Sequence, residues 1–252
     1  MLVTSVESAD GIGGSFTTAY SYFGGRESRQ GRAFVGFDKV QMVDSRNGSK
    51  HIRRFAYEFP FTGMLIEEEF RQSDNTLVSS MVATPAVTTL DSTPYSQRYF
   101  PHVSVITRDA YEVGGTRNGD WITRTEVSNT FDSWGNLTAS TSTVTDKDNS
   151  SDLNGQSWTT STSTSFSPST TYWCLGLPTA SSTTSSTTVT GESPVTISKS
   201  FTPNYLSCHI SAEVVEPSNY PRRVDTAYSY DWFGNLYSVA VTGYNPNSSA
   251  MT

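Results

Sequence analysis

One short phrase occurs twice: Phe131-Asp132-Ser133-Trp134-Gly135-Asn136-Leu137 and Tyr230-Asp231-Trp232-Phe233-Gly234-Asn235-Leu236. Each copy reads aromatic-Asp, two variable positions, then Gly-Asn-Leu, and the two Asp residues lie 99 positions apart. A phrase kept at constant internal spacing marks a repeated structural unit before it marks a catalytic centre. Its chemistry suits a strand–turn–strand corner. Phe131 or Tyr230 closes one strand and the carboxylate of Asp132 or Asp231 caps the turn. Gly135-Asn136 and Gly234-Asn235 tolerate left-handed backbone, and Leu137 or Leu236 opens the next strand. These ten positions form a structural motif, with no catalytic role attached.

Strand patterning surrounds both copies. Trp121, Thr123, Thr125, Val127, Asn129 and Phe131 alternate with Ile122, Arg124, Glu126, Ser128 and Thr130, the period of a half-buried strand. Val224, Thr226, Tyr228 and Tyr230 share one face before the second copy, with Leu236 and Ala240 after it. Upstream, Phe34 to Val43 is strand-like and Asn47-Gly48 predicts a tight primed turn. Phe55, Tyr57, Phe59 and Phe61 then alternate, until Pro60 and Gly63 predict a bulge and the phase shifts to Met64, Ile66 and Phe70. Gly114-Gly115 and Asn118-Gly119 suggest a further turn. Residues 83–98, with Pro85 and Pro94, read as a connection along a sheet edge. The Ser/Thr-rich stretches 146–164 and 179–194 read as long polar hairpins, because β-branched Thr favours extended backbone. No segment patterns as a helix. The expected fold is all-β: a continuous antiparallel sheet of successive hairpins over residues 1–252, with pre-repeat hairpins in 1–98 and the repeats in 99–252. No shift in composition forces a domain boundary.

Bulk properties narrow the function. A chain of 252 residues is long enough for one large all-β domain. Only 16% of residues are charged, yet 12% are aromatic, too many for simple disorder. A net charge of −7 argues against nucleic acid or an anionic membrane as partner. Arg53-Arg54 and Arg222-Arg223 are isolated pairs within mixed segments. No apolar run is long enough to span a bilayer. Met1 to Asp10 lacks the basic start and apolar stretch of a secretory signal, so the chain is either cytoplasmic or a piece exported by a signal lying elsewhere. Cys174 and Cys208 could pair. Two cysteines in a chain this size do not make a disulfide scaffold, however, and separate thiols within strands are the simpler expectation.

Beyond the repeated phrase, several stretches resemble one known family. The aromatic-Asp-x-x-Gly-Asn-Leu phrases look like the YD repeats of bacterial RHS-repeat proteins. Tyr20-Ser21-Tyr22-Phe23-Gly24-Gly25-Arg26, with Gly31-Arg32-Ala33-Phe34-Val35-Gly36-Phe37, resembles a stretch of RHS proteins with an SpvB/TcaC-like front end, as in Tc insecticidal toxins. So do Phe59-Pro60-Phe61-Thr62-Gly63-Met64, Tyr99-Phe100-Pro101-His102-Val103, Trp173-Cys174-Leu175-Gly176-Leu177-Pro178-Thr179 and Ala212-Glu213-Val214-Val215-Glu216-Pro217. These landmarks follow the family's order along almost the whole chain. Phe131 stands where Tyr is usual, and Leu177 where Arg is. The resemblance implies a strip of hairpins from the wall of a large hollow shell that encloses a C-terminal polymorphic toxin. Its partners would be neighbouring repeats of a longer chain and the enclosed toxin. It would be secreted or displayed at the cell surface as part of that bacterial protein, and this stretch would use no cofactor and catalyse nothing. The family's self-cleaving protease segment and toxin are not recognisable here.

Other chemistries find less support. No Gly-x-Ser-x-Gly elbow exposes a nucleophilic serine. No glycine-rich phosphate loop implies a cofactor. His51, His102 and His209 are scattered, without metal-ligand spacing. Asp146-Lys147-Asp148-Asn149-Ser150-Ser151-Asp152 opens like a calcium loop, but Ser151 and Ser157 stand where an EF-hand needs Gly and Glu, so a solvated hairpin tip is expected. Of Glu67-Glu68-Glu69 only the outer two share a strand face, which reads as a solvated edge rather than a glycosidase pair. A glycan-binding or adhesin module built on Tyr20, Tyr22, Phe55, Tyr57, Trp121, Tyr228 and Tyr230 is the alternative function. A hydrolase on a β scaffold ranks last, since no nucleophile, base and orienting group can be named together.

Overall fold

The computed structural model describes residues 2–28, 33–245 and 248–251. Met1, Gly31 and Arg32 of the stretches read above lie outside the described residues. The chain is all-β, and its described helical turns are the short 3-10 segments Gly115–Arg117 and Tyr220–Arg222. Eighteen strands follow in order: β1 (Ser5–Ala9), β2 (Ser15–Phe23), β3 (Arg26–Ser28), β4 (Ala33–Gly36), β5 (Lys39–Asp44), β6 (Lys50–Phe55), β7 (Leu65–Arg71), β8 (Leu77–Asp91) and β9 (Arg98–Tyr111). Next come β10 (Trp121–Phe131), β11 (Leu137–Asp146), β12 (Ser157–Phe166), β13 (Pro178–Thr187), β14 (Val195–Asn204), β15 (His209–Val215), β16 (Val224–Tyr230), β17 (Leu236–Asn245) and β18 (Ser248–Met251). Sixteen of them form one hydrogen-bonded succession in chain order, while β3 and β4 pair separately as a small ribbon between β2 and β5. Every pair described is antiparallel, as a run of hairpins requires.

The chain resolves into two units, residues 1–128 with 143–157 and residues 129–142 with 158–252. In the first, rungs of opposite charge cross the sheet. Arg53 opposes Glu68 and Arg54 opposes Glu67, with ion pairs of 2.7 and 2.8 Å. In the second, hydroxyl rungs join β12, β13 and β14, Thr162 with Thr183 at 3.1 Å, Thr164 with Ser181 at 3.3 Å, and Thr184 with Thr196 at 2.8 Å, beside an ion pair, Lys199 with Glu213 at 2.7 Å. Among the described residues only Ala83 and Cys174 are buried. Neither unit has an interior of packed apolar side chains. Ladder hydrogen bonds and cross-strand pairs therefore hold the sheet together, each pair contributing roughly 0.2–1 kcal/mol.

Several local expectations change on this background. Residues 83–91 are not a connection but the second half of the long strand β8. Pro85 fits there because it lies at a register shift against β9, and β7 pairs only with the first half of β8, leaving no partner for a missing N–H. Tyr57, Phe59 and Phe61 do not continue a strand: β6 ends at Phe55, where the register shifts, and 56–64 form a loop containing the cis peptide Phe59–Pro60. The bulge thus precedes Pro60 rather than following it. Asn47-Gly48 does not form a two-residue primed turn. Five residues join β5 to β6, Gly48 alone is left-handed at φ +68°, and its N–H donates to Asp44 O. Glu67-Glu68-Glu69 does not lie on an edge, since β7 is paired on both sides and each carboxylate meets an arginine.

Candidate functional site

Both copies of the repeated phrase are hairpin corners of one design. Asp132 N–H donates to Asn136 O at 3.0 Å, and Gly135 N–H donates back to Asp132 O at 3.2 Å. Asp132 Oδ1 accepts the N–H of Trp134 and of Asn136, and its Oδ2 accepts the Asn136 side-chain amide at 2.9 Å. Asp231 repeats each of these bonds with Phe233, Gly234 and Asn235, at distances from 2.9 to 3.1 Å. The glycines are left-handed, Gly135 at φ +85° and Gly234 at φ +83°, which explains the residue type. The asparagines do not share that backbone. Their role is to donate an amide to the Asp carboxylate, a correction to the expectation that they supply left-handed geometry.

Electrostatics follow from these bonds. Burial pushes the Asp132 carboxyl up, but the Asn136 amide and the N–H groups of the turn outweigh it, so the group stays below the usual carboxylate range. Asp231 is held low first by the Asn235 side chain and then by the same backbone donors.

The corner also occurs where the sequence phrase is absent. Residues 10–14 and 72–76 are five-residue links of the same length, each closed by the N–H of its first residue donating to the carbonyl of its fifth. Asp10 keeps the carboxylate role, accepting from Ile12 and Gly14, while in 72–76 left-handed Asn75 takes the glycine place at φ +73°. Asp-x-x-Gly spacing in Asp10 to Gly13 was the available signal for the first. The second has Gln72 where Asp is expected and carries no such signal.

Around the corner at 132–136 a larger structure assembles. The β12–β13 loop, residues 167–177, reaches it with Trp173, whose ring meets Trp134 edge-to-face at 6.5 Å and 81°. Asn136 gives its amide a second acceptor, Leu175 O, at 2.8 Å. Gly176 eases the approach, because a Cβ there would sit a tight 3.2 Å from Asn136 Oδ1. The loop is itself fixed. Cys174 is disulfide-bonded to Cys208 in the β14–β15 turn, with Cα atoms 5.4 Å apart, and Tyr205 Oη donates to Ser167 O at 3.0 Å. The cysteines are therefore a bridge between two turns, not separate thiols in strands; period-two reasoning misses this because neither residue lies in a strand. Trp173 and Cys208 are left-handed at φ +56° and +54°, conformations that bulky and Cβ-bearing residues seldom adopt.

The second corner is built on different neighbours. Tyr230 Oη donates to Ile210 O at 2.9 Å, and the Tyr230 ring lies 4.3 Å from that of His209. Gly234 packs over the same imidazole, where a Cβ would come within 3.2 Å of His209 Cε1. His51 lies 2.7 Å from Glu68, and His102 stacks on Phe100. In the loop that opens like a calcium site, Asp146 and Asp148 accept backbone N–H and serine hydroxyls, and Asp148 also pairs with Arg117. Arg117 leads the bonds that hold Asp148 at about 2. Three of the aromatics read as a sugar-stacking surface have local polar partners. Trp121 spends its indole N–H on Asp109 and lies under Arg124 and Lys147, Tyr228 Oη bonds Glu213, and Tyr57 lies under Arg26.

No family model matches the sequence, and no curated protein matches it. Solved structures do match the fold. The crystal structure of TcdB2-TccC3 superposes with a TM-score of 0.66 at 13% identity, over 94% of this chain and 18% of that one. The same assembly without its hypervariable C-terminal region gives 0.67 at 13% identity, over 95% and 18%. The Tc holotoxin pore of Photorhabdus luminescens gives 0.65 at 12%, over 91% and 17%. The chain thus spans under a fifth of the chains it resembles. No described helix is long and apolar enough to cross a membrane.

Proposed function

We propose that this chain is a stretch of wall from an RHS-type bacterial shell that encloses a C-terminal toxin and helps deliver it. It acts by surface and continuity, without turnover and without a cofactor. The observation that carries this reading is a succession of sixteen strands in chain order, with scarcely a buried side chain among the described residues and, among them, a partner on one side only for β1 and for β18. Such a strip has borders that other strands can extend and faces that other matter can cover. Its neighbouring partners are further repeats of the same kind, and the repeated corners supply the joints. The likeness to TcdB2-TccC3 supports a toxin shell as the context, and the bridge between Cys174 and Cys208 suits a secreted protein.

Two measurements test the reading. In sedimentation velocity the chain associates through its open borders as concentration rises; a monomer indifferent to concentration counts against it. In a longer chain containing this stretch, the C-terminal cargo resists protease until the sheet is opened by denaturant, and ready digestion of the cargo in the native state refutes enclosure.

A further inference from the structure

The two repeated corners differ in what covers them, and the difference defines a binding site. At 132–136 the third-position aromatic, Trp134, meets Trp173, and the fifth-position amide, Asn136, reaches Leu175 O. At 231–235 the same places hold Phe233 and Asn235. Phe233 is 87% exposed and the adjoining Trp232 is 96% exposed, with Leu236 and Tyr237 also open beside them. The Asn235 amide bonds Asp231, and among the described residues its second hydrogen has no acceptor. Aromatic surface of this extent is unusual on a soluble protein unless something docks there.

We infer that the 231–235 corner is a receptor for a second loop of the 167–177 type: an aromatic side chain to lie against Phe233 and Trp232, a backbone carbonyl for Asn235, and a glycine that permits close approach. The occupant is argued from the chain itself, because the first corner shows the contact made, with Trp134 against a still partly exposed Trp173 and Asn136 on Leu175 O, and the second presents its receiving half. The chain's own loop is not the occupant, being held at 132–136 and tied to Cys208. The partner is instead a loop of the same chemistry on a neighbouring hairpin unit. This inference rests on the wall reading and names the contact by which one stretch of wall meets the next.

The probe is a cyclic peptide of residues 167–177 with Cys174→Ala. Its ends close naturally, since Ser167 N–H donates to Leu177 O at 3.3 Å, and Ser169 and Cys174 exchange backbone bonds across the loop. Titrated into the full chain, it binds saturably at one site. Phe233→Ala or Trp232→Ala in the chain weakens binding by about tenfold or more, as does Trp173→Ala in the peptide. Trp134→Ala in the chain changes it by less than about twofold, because the tethered loop outcompetes the free one at that corner. Both Phe233 and Trp232 are exposed, so an unchanged far-ultraviolet spectrum confirms that the variants stay folded. Absence of saturable binding, or binding indifferent to Phe233 and Trp232, overturns the inference. Self-association of the chain that disappears in Phe233→Ala, with no peptide bound, would assign the corner to a second copy and overturn it equally. Border association that persists while the peptide fails to bind sinks this inference alone; loss of border association sinks the wall reading.

Discussion

Strands β6 and β7 and strands β12 and β13 solve the same problem with different chemistry. Both are antiparallel pairs within a sheet that has almost no buried side chains. Between β6 and β7, Arg53, Arg54 and His51 face Glu67 and Glu68, and Arg71 turns back on Glu69 at 2.8 Å. Between β12 and β13, Thr162, Thr183, Thr164 and Ser181 bond one another directly. Charged rungs answer to pH and salt, whereas hydroxyl rungs titrate with neither. The polar pair is supplemented by a covalent tie between the turns at its end, and the charged pair is not. Where a sheet cannot bury itself, the type of rung decides which conditions open it.

The largest effect should separate the units most cleanly. Cys174→Ser with Cys208→Ser removes a cross-link spanning 34 residues and costs the second unit about 3–4 kcal/mol on the chain-entropy account. Hydrogen exchange should accelerate in β12 to β15 and stay unchanged in β5 to β7; equal acceleration in both would erase the contrast. Asp132→Ala comes next. It deprives two N–H groups and an amide of their acceptor and should cost about 1–2 kcal/mol, by analogy with a lost helix cap. Asp231→Ala should cost less, because its corner is open to water, and urea midpoints of the two variants compare them.

Acid should then act on the charged pair. Burial alone would raise the Glu68 carboxyl, but Arg53 and His51 outweigh it, and Arg71 holds Glu69 down; both lie below their ordinary 4.5. A depressed carboxyl stabilises fully above that value and loses its contribution as pH falls through the folded-state pKa. Exchange in β6 and β7 should therefore rise below about pH 4.5, relative to exchange in the β12–β13 rungs, and equal responses would break the comparison. The smallest effect is that of salt. Near 1 M sodium chloride the charged rungs should weaken by a few tenths of a kcal/mol per pair while the hydroxyl rungs hold, as read by the same exchange experiment.

The distribution of successes in reading the sequence has a physical cause. Alternation at Trp121 to Phe131 and the Asp-x-x-Gly-Asn corners was legible because strand period and left-handed glycine are local requirements. The Ser/Thr-rich stretches were legible for the same reason: β-branching acts residue by residue. What stayed hidden depends on distant segments. Residues 83–91 look like an edge connection until β9 is seen to pair with all of them but Leu90. Tyr57, Phe59 and Phe61 alternate like a strand although the chain turns there. Nothing near Cys174 announces Cys208, because the loop and turn that carry them are brought together only by the sheet between them. At the site, the corners themselves could be read in advance, but the cover that Trp173, Leu175 and Gly176 give to one of them could not.

That only Ala83 and Cys174 are buried among the described residues has a consequence for substitution. Most folds restrict substitution from within, since a swapped side chain must still fit its cavity. Here most side chains keep some contact with water, so a substitution is judged less by an interior cavity than by the opposite partner on the sheet and by the Asp, Gly and Asn of the bends. The same backbone path can therefore be followed with few of the same side chains, as the TM-score of 0.66 at 13% identity with the TcdB2-TccC3 structure illustrates.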